Sequence, residues 1–226
     1  MKALRILGLL MIYVPAAFVA ISLVWVESLK DGPVNITPVM LKQMFTEFTS
    51  IEQEWVPLEK ISEPAIRAVI AAEDSQFMRH NGFNPQEIAK MKLLYVRDGS
   101  PLRGCSTISQ QVAKNCFTLG GRNWFRKGIE GYYTTLIEWF WGKRRILEVY
   151  LNVARTGRLL YGIETASLQN FGHSARFMTI GEATVFAAAL PNPVSRPPLL
   201  VYKHMYLLRA AIAARAPLVD IPKRRS

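Results

Sequence analysis

The stretch AAEDSQFMRHNGF, residues 71–83, brings together groups able to move a proton or grip a polar ligand. Helical periodicity over 64–78 puts Ile66, Val69, Ile70 and Phe77 on one face, and Glu73 falls on that same face. A carboxylate is costly to keep charged there, and partial burial raises its pKa toward the range useful to a general base. The same spacing suits a core-edge glutamate paired with an arginine, so the pattern alone leaves both readings open.

Two further segments set polar and cationic groups at helical spacing. In RGCSTISQQVAKN, residues 103–115, a glycine-containing turn enters a helix near Ser106 or Thr107, where free backbone amides suit a phosphate. Thr107, Gln110, Gln111 and Lys114 then share one face, a row of hydrogen-bonders ending in a cation that fits a sugar–phosphate ligand. An ordinary amphipathic helix with Ile108 and Val112 turned inward accounts for the same spacing. In RNWFRKGIE, residues 122–130, Arg122, Arg126 and Lys127 gather positive charge beside Glu130. Arg126 and Glu130, at i and i+4, could equally be a surface pair worth on the order of a few tenths of a kcal/mol.

Glu73-Asp74 followed by Phe77, His80 and Gly82 resembles the first signature of the peptidoglycan glycosyltransferases, the lysozyme-like transglycosylase domains of class A penicillin-binding proteins and their monofunctional relatives. Residues 104–111 with Lys114 are similar to that family's Gly-x-Ser-Thr-x-x-Gln-Gln signature and its following lysine, except that Cys105 stands where Gly or Ala is usual. Arg126, Lys127 and Glu130 resemble an Arg-Lys-x-x-Glu signature, with Arg122 at a phosphate-binding position. KRRILEVYLN (143–152), then Gly157, Gly162 and Ala166, and EATVFAAALPNP (182–193) are similar to the two remaining blocks, Tyr150, Leu151 and Asn152 shaping the cleft floor. Two more departures are Asn84, where Asp is common, and Asn170-Phe171, where Tyr-Phe is common.

The resemblance implies a mostly α fold: a two-lobed, lysozyme-like helical glycosyltransferase domain behind one N-terminal transmembrane helix. It implies polymerisation of a lipid-linked disaccharide-peptide (lipid II) into peptidoglycan strands, by inverting glycosyl transfer that releases polyprenyl pyrophosphate. Pyrophosphate is a good leaving group, so the chemistry needs a base for the acceptor hydroxyl and cations for the phosphate charge. Glu73 and Glu130 are the expected catalytic carboxylates, Glu73 as the base and Glu130 at the pyrophosphate end. Asp74, Phe77, His80, Ser106, Thr107, Gln110, Gln111, Lys114, Arg122 and Arg126 are the expected substrate-binding residues. No cofactor is required in this scheme, a divalent ion (Mg or Mn) at the pyrophosphate being the one addition it accommodates. Lipid II, the growing strand, the membrane and cell-wall synthesis or cell-division proteins are the expected partners. Two rival readings are a glycan-cleaving lysozyme-like enzyme, which has no use for the cation group, and a non-catalytic membrane-anchored cell-wall assembly protein, which the Cys105 departure favours. No Ser-x-x-Lys occurs, as an acylating penicillin-binding domain requires, and the ~200 residues past the anchor leave no room for one.

These groups have to be carried on a domain held at a membrane. Residues 6–26 contain no charged side chain and, as a helix, run about 30 Å, enough for one bilayer crossing. The run exceeds the usual signal-peptide core, so an uncleaved anchor is expected, with residues 1–5 before it, a linker over 27–37 and the domain over 38–226. Lys2 and Arg5 precede it, while Glu27, Lys30 and Asp31 follow, which puts the N-terminus in the cytoplasm and the domain on the periplasmic side of a bacterial inner membrane. The chain of 226 residues carries 28 Lys+Arg against 17 Asp+Glu, a net of +11, and taking away Lys2 and Arg5 leaves +9 for the outer part. Outside the cell such a charge meets anionic lipid and phosphate, not nucleic acid. Helices are expected over 38–48, 64–78, 85–97, 107–117, 124–141, 143–154, 179–190 and 202–214, with a short hairpin somewhere in 50–62. Cys105 and Cys116 would lie roughly 15 Å apart along one helix, beyond the ~7 Å a disulfide spans, so two free thiols are expected. Two cysteines and three scattered histidines offer no metal-ligand pattern.

Overall fold

The structure, a computed structural model, describes residues 2–98, 106–121 and 123–223. It opens with α1 (Lys2–Ser28), whose segment Ile6–Ser28 is long and apolar enough to cross a membrane. Pro15 is accommodated inside this helix without ending it. The last turns of α1 are drawn onto the domain. Ser22 and Val26 are buried, the Ser22 and Tyr133 hydroxyls lie 3.1 Å apart, and Trp141 Nε1 donates to the Val26 carbonyl at 2.8 Å. The segment that follows is tied down as well: Arg145 donates to the carbonyls of Leu29 and Gly32 at 2.9 and 2.5 Å, and Val34 is buried.

Two helical layers then build the domain. In one, α3 (Glu63–Glu73) starts at Ser62, whose hydroxyl accepts from the Ala65 amide, and packs chiefly against α9 (Ile180–Ala189). Both helices bury alanines, among them Ala65 and Ala68 on α3 and Ala183 and Ala187 on α9, which lets the backbones approach closely. In the other, α5 (Ile108–Phe117) packs against α6 (Trp124–Phe140) and α7 (Gly142–Val153). α7 buries Ile146, Leu147, Val149, Tyr150, Leu151 and Val153, each aliphatic side chain worth about 1.5–3 kcal/mol of burial. Asn152 lies in that core with its amide group spanning the Val56 N–H and carbonyl, both at 2.8 Å. Around these run α2 (Pro38–Glu47), α4 (Pro85–Asp98), α8 (Ile163–Phe171), α10 (Pro198–His204) and α11 (Tyr206–Arg215).

Three expectations are corrected. The helix expected over 64–78 ends at Glu73, because Asp74 leaves helical geometry (φ −161°, ψ 75°) and its carboxylate is engaged elsewhere. The expected hairpin in 50–62 is absent: β1 (Glu52–Gln53) pairs in parallel with β2 (Leu160–Tyr161), while Glu148 and Asn152 take up the amides of Leu58 and Val56. The helix expected over 202–214 is broken at Met205, which separates α10 from α11. α8, flanked by Gly162 and Gly172 at positive φ, had no expected counterpart.

One glycine is fixed by geometry. Gly82 sits at φ +85°, its carbonyl accepts the Thr107 hydroxyl at 2.7 Å, and a Cβ added there would meet Thr134 Cγ2 at 2.6 Å. Gly82→Ala is expected to lower stability by about 1–3 kcal/mol, read as a fall in thermal midpoint. Gly128→Ala, in α6 with nothing within 4 Å of the new methyl, is expected to leave the midpoint unchanged or raise it. Equal effects of the two substitutions would contradict this packing.

Candidate active site

The site is assembled where the end of α3 meets the start of α5. Thr107 caps α5: its hydroxyl accepts from the Gln110 amide, and the Gln110 side chain accepts from the Thr107 amide. The next amide, that of Ile108, donates to Asp74 Oδ2 at 3.1 Å. His80 Nε2 lies 3.0 Å from both Asp74 oxygens. Asp74 is thus a buried carboxylate that joins the last turn of α3, the 77–80 loop and the positive end of α5.

With the two helix ends fixed, Glu73 projects from the last turn of α3 beside the second turn of α5. Gln111 Nε2 donates to Glu73 Oε2 at 2.7 Å, and the Tyr150 hydroxyl faces both. Burial lifts the Glu73 carboxyl above the ordinary glutamate range, opposed by hydrogen bonds from Gln111 and Tyr150 and by the charge of Lys114. Burial, then the charge of Glu73, holds the Tyr150 phenol well above its ordinary value, so it remains a neutral donor.

Lys114, one turn beyond Gln110, feels the charges of both Glu73 and Glu130 and forms no hydrogen bond or ion pair through its ammonium among the described residues. Burial lowers its pKa; the charge of Glu130 opposes this, and those of Arg126 and Lys127 add to it. Glu130 itself is only 3 % exposed. Its two oxygens are taken by Arg126 and Lys127, and the Lys127 ammonium also reaches the Ser106 hydroxyl at 3.5 Å. α6 begins immediately before these cations because Asn123 caps it, accepting the Arg126 amide at 2.6 Å.

A cleft of about 180 Å³ opens at Glu73, lined also by Asp74, Asn84, Ser106, Thr107 and Arg215. Of the sequence-derived residues, Glu73, Asp74, Ser106, Thr107, Gln111, Lys114, Arg126 and Glu130 therefore gather in one region. Thr107 and Gln110 spend their side chains on the helix cap, and His80 on Asp74. Phe77 is fully buried beneath the site with the Lys143 ammonium 4.5 Å from its ring centre, so it supports the loop from the core. Arg122 and Cys105 lie outside the described residues. Cys116 is a free buried thiol, pushed up to about 12 by burial. Sequence reasoning missed Arg215, for which α11 carries no motif.

No group of three or more His, Cys, Asp or Glu side chains able to hold a metal occurs among the described residues. Glu130 has both oxygens committed to cations, so the charge offered to a phosphate ligand here is ammonium and guanidinium.

Fold and site together define a helical domain with one buried carboxylate of raised pKa beside a group of cationic side chains. The chain belongs to the transglycosylase family, which it matches over residues 41–216. It is 45 % identical over 166 residues, 71 % of this chain and 66 % of the relative, to a biosynthetic peptidoglycan transglycosylase of Bdellovibrio bacteriovorus. A protein of the same name from Mannheimia succiniciproducens is 47 % identical over 68 % of this chain and 64 % of its own length. Another from Chromohalobacter salexigens is 40 % identical over 202 residues, covering 85 % of this chain and 86 % of the relative. The matched stretch thus spans just under two thirds of the first two relatives.

The raised Glu73 pKa has a consequence for stability. A carboxyl whose folded pKa lies above its unfolded value stabilises the fold while protonated, below the unfolded pKa, and this contribution is lost as pH rises through the folded pKa. Glu73→Gln, which mimics the protonated form, is expected to raise the thermal midpoint at neutral pH and to do so much less near pH ~3.5, below the ordinary glutamate pKa. A Gln variant less stable than wild type at neutral pH would mean that Glu73 is a stabilising structural carboxylate.

Proposed function

We propose that the chain polymerises a polyprenyl-pyrophosphate-linked disaccharide-peptide, lipid II, into peptidoglycan strands, and that it acts as a monofunctional glycosyltransferase. The observation that carries this reading is Lys114, a largely buried ammonium without an ion pair among the described residues that feels the charges of both Glu73 and Glu130. A glycan-cleaving enzyme needs an acid for a sugar leaving group and has no evident use for such a cation. An enzyme whose leaving group is pyrophosphate needs that positive charge, and needs no acid.

Glu73, its carboxylate oriented by Gln111 and Tyr150, takes the proton of the acceptor hydroxyl. The freed oxygen attacks the anomeric carbon from the face opposite the pyrophosphate, so an α-linked donor gives a β-linkage. Lys114 meets the negative charge that grows on the departing phosphate. Arg122 keeps the same role as an expectation drawn from the family motif, and Arg126 is a further candidate for it. Glu130 acts through the cations it orients, Arg126 and Lys127. A pyrophosphate arriving with Mg or Mn would be compatible with this reading, but no step requires the metal.

Both substrates are lipids, so an anchor raises the effective concentration of the domain near them. α1 is compatible with a single membrane span, and the basic residues before it support a cytoplasmic N-terminus with the domain in the periplasm. A reporter that functions only outside the cytoplasm, fused after Ser226, is expected to be active; activity only of a cytoplasmic reporter at that site would reverse the topology.

Catalysis is tested by polymer length on purified lipid II. Glu73→Gln is expected to reduce polymerisation by at least ~10²-fold, and the wild-type acid limb should lie above the ordinary glutamate range. Lys114→Ala should lower turnover more than substrate binding, and Lys114→Arg should recover only part of the loss, since a planar fork replaces a compact ammonium. Neutralising Lys223 should cost little. Near wild-type yield from Glu73→Gln or from Lys114→Ala at saturating substrate would overturn the assignment.

A further inference from the structure

A second cavity, of about 500 Å³, lies between the end of α8, the first turns of α9, and helices α10 and α11. It shares no lining residue with the cleft at Glu73. Its walls include Phe171, Val185 and Tyr202, with Arg209, Glu182 and Asn170 supplying the polar groups. The size is that of a small-ligand site with apolar walls and a few fixed polar contacts.

The charges in it are unequal in their commitments. Glu182 is taken up by His173 Nε2 at 3.0 Å and by the Thr179 amide at 2.8 Å. Arg209 pairs with no carboxylate among the described residues. Its guanidinium lies over the Tyr202 ring at 4.7 Å, Nη1 donates to the Tyr202 carbonyl at 3.2 Å, and Nε is buried without a partner. An arginine fork held rigid against an aromatic ring, with donors unused, is matched by a carboxylate. Asn170, at the position where Tyr is common in the related family, lines this cavity with a smaller side chain. Its amide nitrogen donates to the Ala166 carbonyl at 2.7 Å, so its carbonyl oxygen is the atom left for a ligand N–H.

We infer that this cavity binds the free carboxylate end of a short peptide with small apolar side chains: Arg209 takes the carboxylate, Phe171, Val185 and Tyr202 enclose the side chains, and Asn170 accepts a peptide N–H. The occupant is the stem peptide carried by the disaccharide units, an identification that rests on the proposed function. The site would hold a peptide of the substrate or of the finished strand away from the reacting sugars.

The probe is the tripeptide diacetyl-lysyl-D-alanyl-D-alanine, titrated by calorimetry into the full chain in detergent micelles, against the same peptide with its C-terminus amidated. The acid should bind, and amidation should weaken it about tenfold or more, the scale of a lost charge-assisted hydrogen bond. Arg209→Gln should weaken the acid to the level of the amide. Asn170→Tyr, which fills the cavity and leaves Arg209 in place, should abolish binding, with both variants melting as wild type does. Glu73→Gln should bind the tripeptide as wild type does, so an absence of polymerisation would leave this site standing and count against the proposed function alone. Equal binding of acid and amide, indifference to both cavity substitutions, or no binding by a chain that polymerises lipid II would overturn the proposal. Preference for a peptide ending in a large apolar residue would also overturn it, because the pocket would then serve a protein tail.

Discussion

The site depends on how one buried carboxylate is satisfied. Asp74 cannot be left unpaired away from water, and its partners come from two other segments: the His80 ring and the Ile108 amide. Each hydrogen bond to such a charged group is worth about 1.5–3 kcal/mol, enough to hold a loop and a helix start in register. Those contacts also stop α3 at Glu73 and direct that side chain toward Gln111. Glu73 and Gln111 are neighbours because Asp74 makes their helices neighbours.

Around that joint the two functional charges are poorly solvated. Burial presses Glu73 toward its protonated form and Lys114 toward its neutral form, and each partly restores the charge of the other. Glu130 differs in having two cations bound directly to its oxygens, Arg126 and Lys127. One carboxylate is held under tension and the other is satisfied, a division of labour that follows from their surroundings and not from residue type.

Much of this arrangement was legible in the sequence because it is local. The helix start near Thr107 was visible as a pattern, and so were the helix faces carrying Glu73, Gln111 and Lys114. What escaped notice is set by distant segments. Periodicity carried the third helix on to residue 78 since it cannot register that Asp74 is claimed by an amide from α5. The hairpin expected near residue 52 failed because its strand finds a partner beyond α7, and the neighbouring amides are met by Asn152 and Glu148. Thr107, Gln110, Gln111 and Lys114 looked equivalent on a helical wheel, yet two of the four serve the helix end itself. Arg215 and the Arg209 cavity lie on helices without a motif, where only the three-dimensional fold exposes their company.

The junction of α1 with the domain sets the mechanics of the whole molecule. Ser22, Trp25 and Val26 are fastened to Tyr133, Phe117 and Trp141, and Arg145 clasps the chain just past the helix. A domain on a slack leash would wander in height and heading over a lipid surface. One bolted to its post does neither: with α1 in the bilayer, the mouth at Glu73 stays at a single elevation and faces a single direction. On the proposed function, each new link would then be made at one height above the bilayer.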